Sequence, residues 1–337
     1  MNVKKKILVT GVAGFLGSHL AEKFIKLGHD VIGIDNMIGG YEDNIPNKIK
    51  FYNFDCCDLK NIDLIMNKID VVYHCAATAH EGLSVFSPIE ITKNNYLASI
   101  TIITSAINHD VKRIIYCSSM ARYGQGKTPF HEEMEPKPID PYGISKVAVE
   151  KVLTNLCTLN NIQWVIAVPH NIIGPRQKYD DPFRNVVSIM LNRMLLGKPA
   201  IIFGDGEQKR CFSDIDDCIF CLDKLLFDKN INSEIINIGP DEEFITINQL
   251  FEKLSNFLKY NLDAKYVEDR PNEVKYASCS AKKARKLLNY KTRVNLDHSL
   301  QKVIKFIKEN GPKKFKYNYE LEIINKKTPI VWEKKLF

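Results

Sequence analysis

The chain has 337 residues, 45% of them hydrophobic and 26% charged, which excludes a fibrous or disordered protein. A net charge of +7 is a modest basic excess that favours anionic ligands without requiring nucleic acid. No stretch approaches 18 consecutive apolar residues, so no membrane span is expected, and nine cysteines without framework spacing fit a reducing, cytoplasmic compartment.

The first half of the chain alternates short β-branched segments with amphipathic segments. Strands are predicted over residues 5–10, 29–35, 48–55, 71–77, 113–119 and 163–171. Helices are predicted between them, over 13–28 and near 60–68, 88–109 and 141–159. Because strands that alternate with helices pair in parallel through crossover connections, this pattern predicts an α/β fold with a doubly wound parallel sheet.

After about residue 175 the spacing of the elements changes. Helices are expected near 183–196, 214–227, 246–258, 280–288 and 297–309, separated by short apolar strands. We therefore expect a larger domain over 1–175, to which a segment near 211–240 partly returns, and a smaller, interleaved α/β domain over 176–311. The C-terminal tail over 312–337 is basic and aromatic, with no clear period.

Three glycines, Gly11, Gly14 and Gly17, follow the first predicted strand and open the first predicted helix. In this context one glycine makes a tight turn, one lets the backbone approach a diphosphate, and one allows close packing of helix on strand. The free N–H groups at the start of the helix then face the diphosphate. The first domain is therefore expected to be a dinucleotide-binding Rossmann domain.

Asp35 ends the second predicted strand. A carboxylate at that place accepts hydrogen bonds from the ribose hydroxyls of NAD and repels the 2′-phosphate of NADP. The residues that follow are Asn36, Met37 and Ile38, none of which can receive a phosphate as an arginine does. The sequence therefore predicts a preference for NAD.

Tyr142 and Lys146 lie at the start of a predicted helix, at a spacing that places the phenol and the ammonium on one face. A free tyrosine has a pKa of about 10, so acting as a base near pH 7 requires a shift worth roughly 4 kcal/mol. We expect the Lys146 ammonium and the positive nicotinamide ring to supply it. Ser119 ends a predicted parallel strand, where ligands of such sheets bind, and can hydrogen-bond a substrate oxygen.

Cys218 and Cys221 form a C-x-x-C pair in an apolar, helical stretch. A zinc site needs two more ligands, and no second pair appears in the sequence. We interpret both as buried structural cysteines and expect no metal.

The chain resembles the extended short-chain dehydrogenase/reductase family, in particular its NAD-dependent nucleotide-sugar epimerases and dehydratases. The resemblance depends on the order and spacing of TGVAGFLGSH, HCAA, SSMARYG, PYGISK, HNIIGPRQ, GDGEQKRCFSDIDD and RPNEV. It covers residues from about 5 to 309 and leaves out only the tail. It implies that the first domain binds NAD and that the second binds a nucleotide sugar. Within the family, the chain is most similar to UDP-glucose and UDP-N-acetylglucosamine 4-epimerases.

The resemblance also assigns roles to individual residues. Its catalytic group corresponds to Ser119, Tyr142 and Lys146, the last two also touching the cofactor. The other positions that match NAD contacts are Gly11, Gly14, Phe15, Leu16, Gly17, Asp35, Asn36, Asp55, Cys56, Ala76, Ala77 and Asn95. The positions that match substrate contacts are Ser119, Tyr142, Asn171, Arg210, Arg270 and Ala277, with the two arginines holding the nucleotide diphosphate. For His80, Glu81 and His170, buried or supporting roles are favoured over catalysis.

Two positions after Ser119 indicate the reaction. Dehydratases of the family carry Asp-Glu there, and its decarboxylases resemble T-S-E-V-Y-G, whereas this chain has Met120 and Ala121. Since neither side chain can exchange a proton, 4-epimerisation through a transient 4-keto sugar is favoured. A 4-ketosugar reductase, a 4,6-dehydratase and a catalytically silent NAD-binding scaffold remain as alternatives.

In related UDP-sugar 4-epimerases, a residue shortly before the helix near 280 limits the size of the sugar. A tyrosine there confines the enzyme to plain hexoses, and a small residue admits a 2-acetamido group. Alignment on RPNEV places Ala277 at this position, while a one-residue slip offers Tyr276 or Ser278. The expected substrates are therefore UDP-N-acetylglucosamine and UDP-N-acetylgalactosamine, with UDP-glucose and UDP-galactose as further candidates. The resemblance also implies a homodimer that pairs through the helices near 88–109 and 141–159.

Overall fold

The computed structural model describes residues 4–228 and 230–337. In the first half, the β-branched segments form strands and the amphipathic segments form helices, as their periodicities predict. These elements, in chain order, are β1 Lys6–Thr10, α1 Phe15–Lys26, β2 Asp30–Asp35, β3 Lys50–Asn53, α2 Leu59–Met66, β4 Val71–His74, α3 Glu81–Ser84, α4 Pro88–Ile91, α5 Ala98–Asn108, β5 Arg113–Cys117, α6 Pro141–Leu159 and β6 Gln163–Pro169. A π-helical segment, Thr92–Leu97, joins α4 to α5, and the region predicted as one helix over 88–109 is therefore helical throughout but irregular.

The second half contributes shorter strands and five longer helices. They are β7 Ile172–Ile173, α7 Val186–Leu195, β8 Ile201–Phe203, β9 Lys209–Arg210, β10 Ser213–Asp214, α8 Ile215–Lys224, β11 Glu234–Ile238, β12 Ile245–Thr246, α9 Ile247–Leu258, β13 Lys265–Val267, α10 Lys282–Leu288, α11 Leu296–Asn310 and α12 Ile330–Glu333. Helices α7, α9 and α11 enclose a core of their own, which contains Leu191, Leu250 and Leu300.

The central sheet has seven parallel strands in the order β11-β6-β5-β4-β1-β2-β3. The predicted doubly wound parallel sheet is confirmed. The chain moves outward from β1 in one direction through β2 and β3, and in the other through β4, β5 and β6. The crevice at the carboxyl ends of β1 and β4 is therefore the switch point, where ligands bind in such sheets.

Helices cover both faces of this sheet, which is why its strands are apolar throughout. One face packs on α1, α8 and α10 through residues such as Phe24, Leu222 and Leu288. The other packs on α2, α5 and α6 through Ile62, Ile102 and Leu153. Strand β11 follows α8 and pairs with β6, so a late part of the chain lies in the first sheet. The boundaries at 175 and 311 remain our proposal for the division into domains.

Several element ends differ from the prediction by a few residues, and two of the differences shape the candidate site. Helix α1 begins at Phe15 instead of residue 13, because the glycine turn occupies the preceding residues, with Gly11 at φ +72°. Strand β4 ends at His74 instead of residue 77, because the amides of Cys75 and Ala76 donate to the Thr10 hydroxyl at 3.1 and 3.0 Å.

The C-terminal tail alternates inward-facing and exposed side chains, although no period was predicted for it from the sequence. Phe315, Tyr317 and Tyr319 point inward and alternate with exposed Lys314, Lys316 and Asn318, the period of an extended chain. Farther along, Trp332 packs against the rings of Phe86, Phe183 and Phe203. The tail is thus ordered against the body of the protein.

Cys218 and Cys221 are buried in α8 against the sheet, as predicted. Within the described ranges, no group of three His, Cys, Asp or Glu side chains could hold a metal ion. Among the helices of residues 4–228 and 230–337, none is long and apolar enough to cross a bilayer.

Candidate active site

A cleft of about 460 Å³ opens at the carboxyl ends of β1, β4 and β5 and extends to residues of the second half of the chain. All of the site residues predicted from the sequence line this cleft, with the exception of Asn95. The structure therefore brings together residues that are up to 266 positions apart in the chain, from Gly11 to Ala277.

The glycine loop forms one end of the cleft. A Cβ added to Gly11 would lie 2.9 Å from backbone atoms of Ala76, and one on Gly17 would lie 2.2 Å from the carbonyl oxygen of Gly11. Side chains are therefore excluded at both positions. Helix α1 has neither a side-chain cap nor an acidic residue in its first turn, and Phe15, Leu16 and Gly17 of that turn line the cleft. This arrangement fits the diphosphate of a dinucleotide.

Asp35 lies beside this loop at the end of β2. Its two carboxylate oxygens accept hydrogen bonds from the amides of Ala13 at 3.0 Å and Met37 at 2.8 Å, and each oxygen keeps a further lone pair for a ribose hydroxyl. Asn36 donates to Asp55 at 3.0 Å, which joins the ends of β2 and β3. Arg184 contacts the carbonyl of Gly39 at 3.2 Å and thus brings to this end a cation that sequence reasoning missed.

Asn95 lies behind the wall of the cleft. Its amide accepts from the Thr78 N–H at 2.7 Å and donates to the Thr78 carbonyl at 3.1 Å, and the neighbouring Asn94 lines the cleft instead. The structure thus differs from the predicted direct contact with the cofactor. Asn95 fixes the backbone directly after Ala76 and Ala77, and it acts on the cleft through that loop.

Ser119, Tyr142 and Lys146 converge at the middle of the cleft. Asp140 accepts from the amide of Gly143 at 2.8 Å and so caps the start of α6, which holds Tyr142 and Lys146 on one face. The Lys146 ammonium donates to the Cys117 carbonyl at 2.9 Å and lies 5.8 Å from the centre of the Tyr142 ring. The phenol, the hydroxyl and the ammonium are thus arranged for proton transfer to or from one substrate oxygen.

The pKa values of this group differ from the expectation. Burial raises the pKa of Tyr142 above its usual value, and the hydrogen bond to Ser119 opposes that rise. Burial also lowers the pKa of Lys146 to about 8. The hydrogen bond to Ser119 therefore does not offset the effect of burial on the pKa of Tyr142, and bound NAD would lower that pKa through the positive charge of its nicotinamide ring.

Two arginines and one glutamate form the far end of the cleft. Arg210 and Arg270 each donate to Glu273, at 2.6 and 2.5 Å to its separate carboxylate oxygens. Both guanidinium groups line the cleft, and Arg270 also lies over the ring of Phe203 at 4.8 Å. Glu273 thus orients two forked cations that can bind a diphosphate. Asn171 lines the cleft nearby, at a positive φ of 36°.

Glu81 is exposed to the cleft, whereas His80 and His170 are fully buried. Loss of hydration inside the cleft, and then the negative charge of Asp140, raise the pKa of the Glu81 carboxyl to about 7. Burial lowers the pKa of His80, which makes a 3.1 Å hydrogen bond with Asp181, and lowers that of His170 to about 4. The supporting roles favoured for the histidines fit their burial, but Glu81 faces the ligand space.

Ala277 is the residue of its segment that faces the cleft. Tyr276 is 59% exposed on the outside, and neither it nor Ser278 lines the cleft. The backbone beside Ala277 is fixed, because the amide of Phe130 donates to the Ser278 carbonyl and that of Ser280 donates to the Phe130 carbonyl, both at 2.8 Å.

Sequence reasoning missed several cleft residues, among them Arg184, Glu273, Tyr319 and Phe337, and it favoured a supporting role for Glu81. For Glu273 a signal existed in the quoted segment RPNEV, whose arginine and glutamate lie close enough to pair. For Tyr319 the only signal was the alternation of aromatic residues over 315–319, and Phe337 lies outside that alternation.

Comparison with known proteins agrees with this geometry. The sequence profile of the NAD dependent epimerase/dehydratase family matches residues 7–239. A putative UDP-glucose 4-epimerase of Methanocaldococcus jannaschii is 34% identical over 90% of this chain and 99% of its own length. The solved structure of a UDP-glucuronic acid 4-epimerase from Bacillus cereus, in complex with UDP-glucuronic acid and NAD, has a TM-score of 0.84 and 31% identity, covering 91% of this chain and all of that one. A UDP-N-acetylglucosamine 4-epimerase from Methanobrevibacter ruminantium has the same TM-score at 28% identity, covering 92% and 100% of the two chains.

Proposed function

The chain belongs to the NAD dependent epimerase/dehydratase family, and we propose that it is an NAD-dependent 4-epimerase of uncharged UDP-hexoses, UDP-N-acetylglucosamine and UDP-N-acetylgalactosamine above all. The single observation that carries the proposal is the composition of one cleft. It joins a dinucleotide loop, a Ser-Tyr-Lys group and a pair of arginines, and the two positions after Ser119 carry Met120 and Ala121, which cannot exchange a proton.

The cofactor end consists of the glycine loop, Asp35 and the turns after β2 and β4. Their fit to NAD is supported by the two positions where a Cβ would collide with backbone and by the uncapped start of α1. When bound, NAD supplies a hydride acceptor for the sugar carbon and a positive ring beside the phenol of Tyr142.

Side chains of the protein transfer the proton of the sugar hydroxyl and bind the nucleotide diphosphate. Tyr142 takes the proton of the sugar 4-hydroxyl and later returns it, and Ser119 hydrogen-bonds the same oxygen. Lys146 places its ammonium 5.8 Å from the centre of the phenol ring. Arg210 and Arg270 hold the diphosphate. The sugar can then turn while the nucleotide keeps it in the cleft, so that its other face meets the cofactor.

Elimination and decarboxylation are disfavoured by the residues after Ser119. Met120 and Ala121 form a short 3₁₀ turn with Arg122, and the first two line the cleft. A thioether and a methyl group cannot exchange a proton at C5 or C6 of the sugar. This supports epimerisation over 4,6-dehydration.

The position of Glu81 in the cleft favours a substrate whose sugar carries no charge. Glu81 lines the same cleft as Tyr142, Arg210 and Arg270, and it lies within electrostatic range of all three, so a sugar bound by those groups lies close to it. Asp140 adds a second negative charge near Glu81. Because like charges at short range repel, a sugar with a C6 carboxylate is disfavoured here above pH 7, where Glu81 is ionised.

The small side chain of Ala277 favours substrates that carry a 2-acetamido group. Its methyl group leaves space in the cleft that a phenol would occupy, and the resemblance gives this position control over the group at C2.

A panel of nucleotide sugars tests the proposal, with product stereochemistry determined by NMR. UDP-N-acetylglucosamine and UDP-glucose should be inverted at C4 without added cofactor, and UDP-glucuronate should react at least about tenfold more slowly than UDP-glucose. Glu81→Gln should narrow that difference. A 4-keto-6-deoxy product, consumption of stoichiometric NADH, or activity confined to GDP- or dTDP-sugars would contradict the proposal.

We further propose that the protein is a homodimer, paired through the helical region of residues 88–108 and α6. Four large apolar side chains of this region are exposed: Ile89 at 74%, Leu97 at 50%, Ile144 at 53% and Leu159 at 75%. Apolar groups of this kind are buried in homodimer interfaces. Light scattering should give twice the 38.6 kDa of one chain, and Leu97→Glu should reduce it. A monomer in the wild type would refute the proposal.

A further inference from the structure

The C-terminal tail, residues 312–337, crosses the cofactor end of the cleft. The Asn318 amide donates to the Ile38 carbonyl at 3.2 Å, and the hydroxyl of the adjacent Tyr319 lies 3.3 Å from that of Thr78. Ile38 belongs to the loop after β2, and Thr78 to the loop after β4. In the sheet, β1 lies between β2 and β4. Residues 318 and 319 therefore pass over the carboxyl end of β1, where the glycine loop lies.

Tyr319 is part of the wall of the cleft. It is 7% exposed, and its ring packs edge-on against His80 at 5.1 Å. Ile38, Thr78 and Tyr319 all line the same cleft as Gly11 and Asp35. A dinucleotide held by the glycine loop would therefore share the cleft with Tyr319 and with the two loops that the tail contacts.

The tail is anchored on both sides of this crossing. On one side, Lys313 exchanges two backbone hydrogen bonds with the side chain of Asn192, at 3.0 and 2.8 Å. On the other, the Glu322 carboxylate accepts from the amides of Ile89 and Glu90 at 2.8 and 2.9 Å, at the start of α4. Because hydrogen bonds hold the tail on both sides of the crossing, residues 318 and 319 are fixed across the opening of the cleft.

We infer that the tail retains NAD, with Asn318 and Tyr319 as the residues that close the opening over it. NAD leaves only when this part of the tail lifts, which requires the contacts to Ile38 and Thr78 to break. Slow release suits a reaction in which the cofactor ends each cycle in the form in which it began. The inference concerns the cofactor alone, so its failure would leave the choice of sugar untouched.

The release rate of labelled NAD tests the inference directly. The protein is loaded with radiolabelled NAD, chased with unlabelled NAD, and the label retained is counted over time. The double variant Asn318→Ala/Tyr319→Ala should release label at least tenfold faster than the wild type. The matched control is Lys326→Ala/Lys327→Ala, two exposed residues of the same tail away from the crossing, which should release at the wild-type rate. Equal release rates for the double variant and the wild type would overturn the inference.

Hydrogen exchange of the wild type provides a second test that needs no substitution. In protein freed of its cofactor and then reloaded with NAD, the amides of residues 316–323 should exchange at least several-fold more slowly after loading, because lifting of the tail is suppressed. If loading protects the amides of the glycine loop but leaves those of residues 316–323 unchanged, the tail does not close over NAD.

Discussion

Replacing Ala277 with tyrosine should change which sugars the enzyme accepts. Ala277 faces the cleft, and the backbone beside it is held by two hydrogen bonds to Phe130. The chain therefore cannot move back to accommodate a larger side chain. The added phenol must enter the ligand space, where it meets the acetamido group of the substrate.

The size of the effect follows from the cost of overpacking, about 1–3 kcal/mol. Since each 1.4 kcal/mol is a factor of ten, Ala277→Tyr should lower kcat/KM for UDP-N-acetylglucosamine by roughly 5- to 150-fold. UDP-glucose lacks the acetamido group, so its kcat/KM should stay within about threefold of the wild-type value.

The assay measures kcat/KM of both sugars with the same enzyme preparation and reports their ratio, which cancels errors in active-site concentration. Tyr276→Ala is the matched control, because Tyr276 lies outside the cleft, and it should leave the ratio unchanged. An unchanged ratio in Ala277→Tyr would refute the assignment of this position. So would a wild type that epimerises UDP-glucose but neither acetamido sugar.

Three further predictions concern other parts of the cleft. Tyr142→Phe should fold and bind NAD normally but lose at least about a hundredfold in turnover, as measured by steady-state kinetics, and near-normal turnover would remove Tyr142 from the mechanism. Because Asp35 repels a 2′-phosphate, titration should give a lower Kd for NAD than for NADP, and equal or tighter NADP binding would show that a cation such as Arg184 compensates. Since the pKa of Glu81 is raised to about 7 in the folded protein, its ionisation opposes folding: stability is fully present below pH 4.5 and is lost as pH rises through 7. Thermal melts should therefore find Glu81→Gln more stable than the wild type above pH 7 and equal to it towards pH 4.5, and a constant difference at all pH values would contradict this reading.

Local patterns in the sequence predicted the first domain well. The period of the strands and helices, the glycine turn and the spacing of Tyr142 and Lys146 each depend on residues that are neighbours in the chain. The carboxyl-end position of Ser119 followed from the parallel sheet, because all strands of such a sheet end at the same edge.

The rest depended on contacts between distant residues. Nothing near Asn95 indicates that its amide is occupied by Thr78, and nothing near Arg210 indicates that it shares Glu273 with Arg270. The raised pKa of Tyr142 follows from burial, which becomes known only once the cleft is assembled. The tail is the clearest example of what the sequence does not predict. Its alternating aromatic residues are visible in the sequence, but the contact between Asn318 and Ile38 is not.

The most direct test of the account follows the hydrogen at C4 of the sugar. UDP-N-acetylglucosamine carrying deuterium at C4 is incubated with purified enzyme and no added cofactor, and the product is examined by NMR and mass spectrometry. If hydride leaves and returns within one closed cleft, UDP-N-acetylgalactosamine should form with the deuterium still at C4. Loss of deuterium from C4, or absence of the C4-inverted product, would contradict the proposed epimerase.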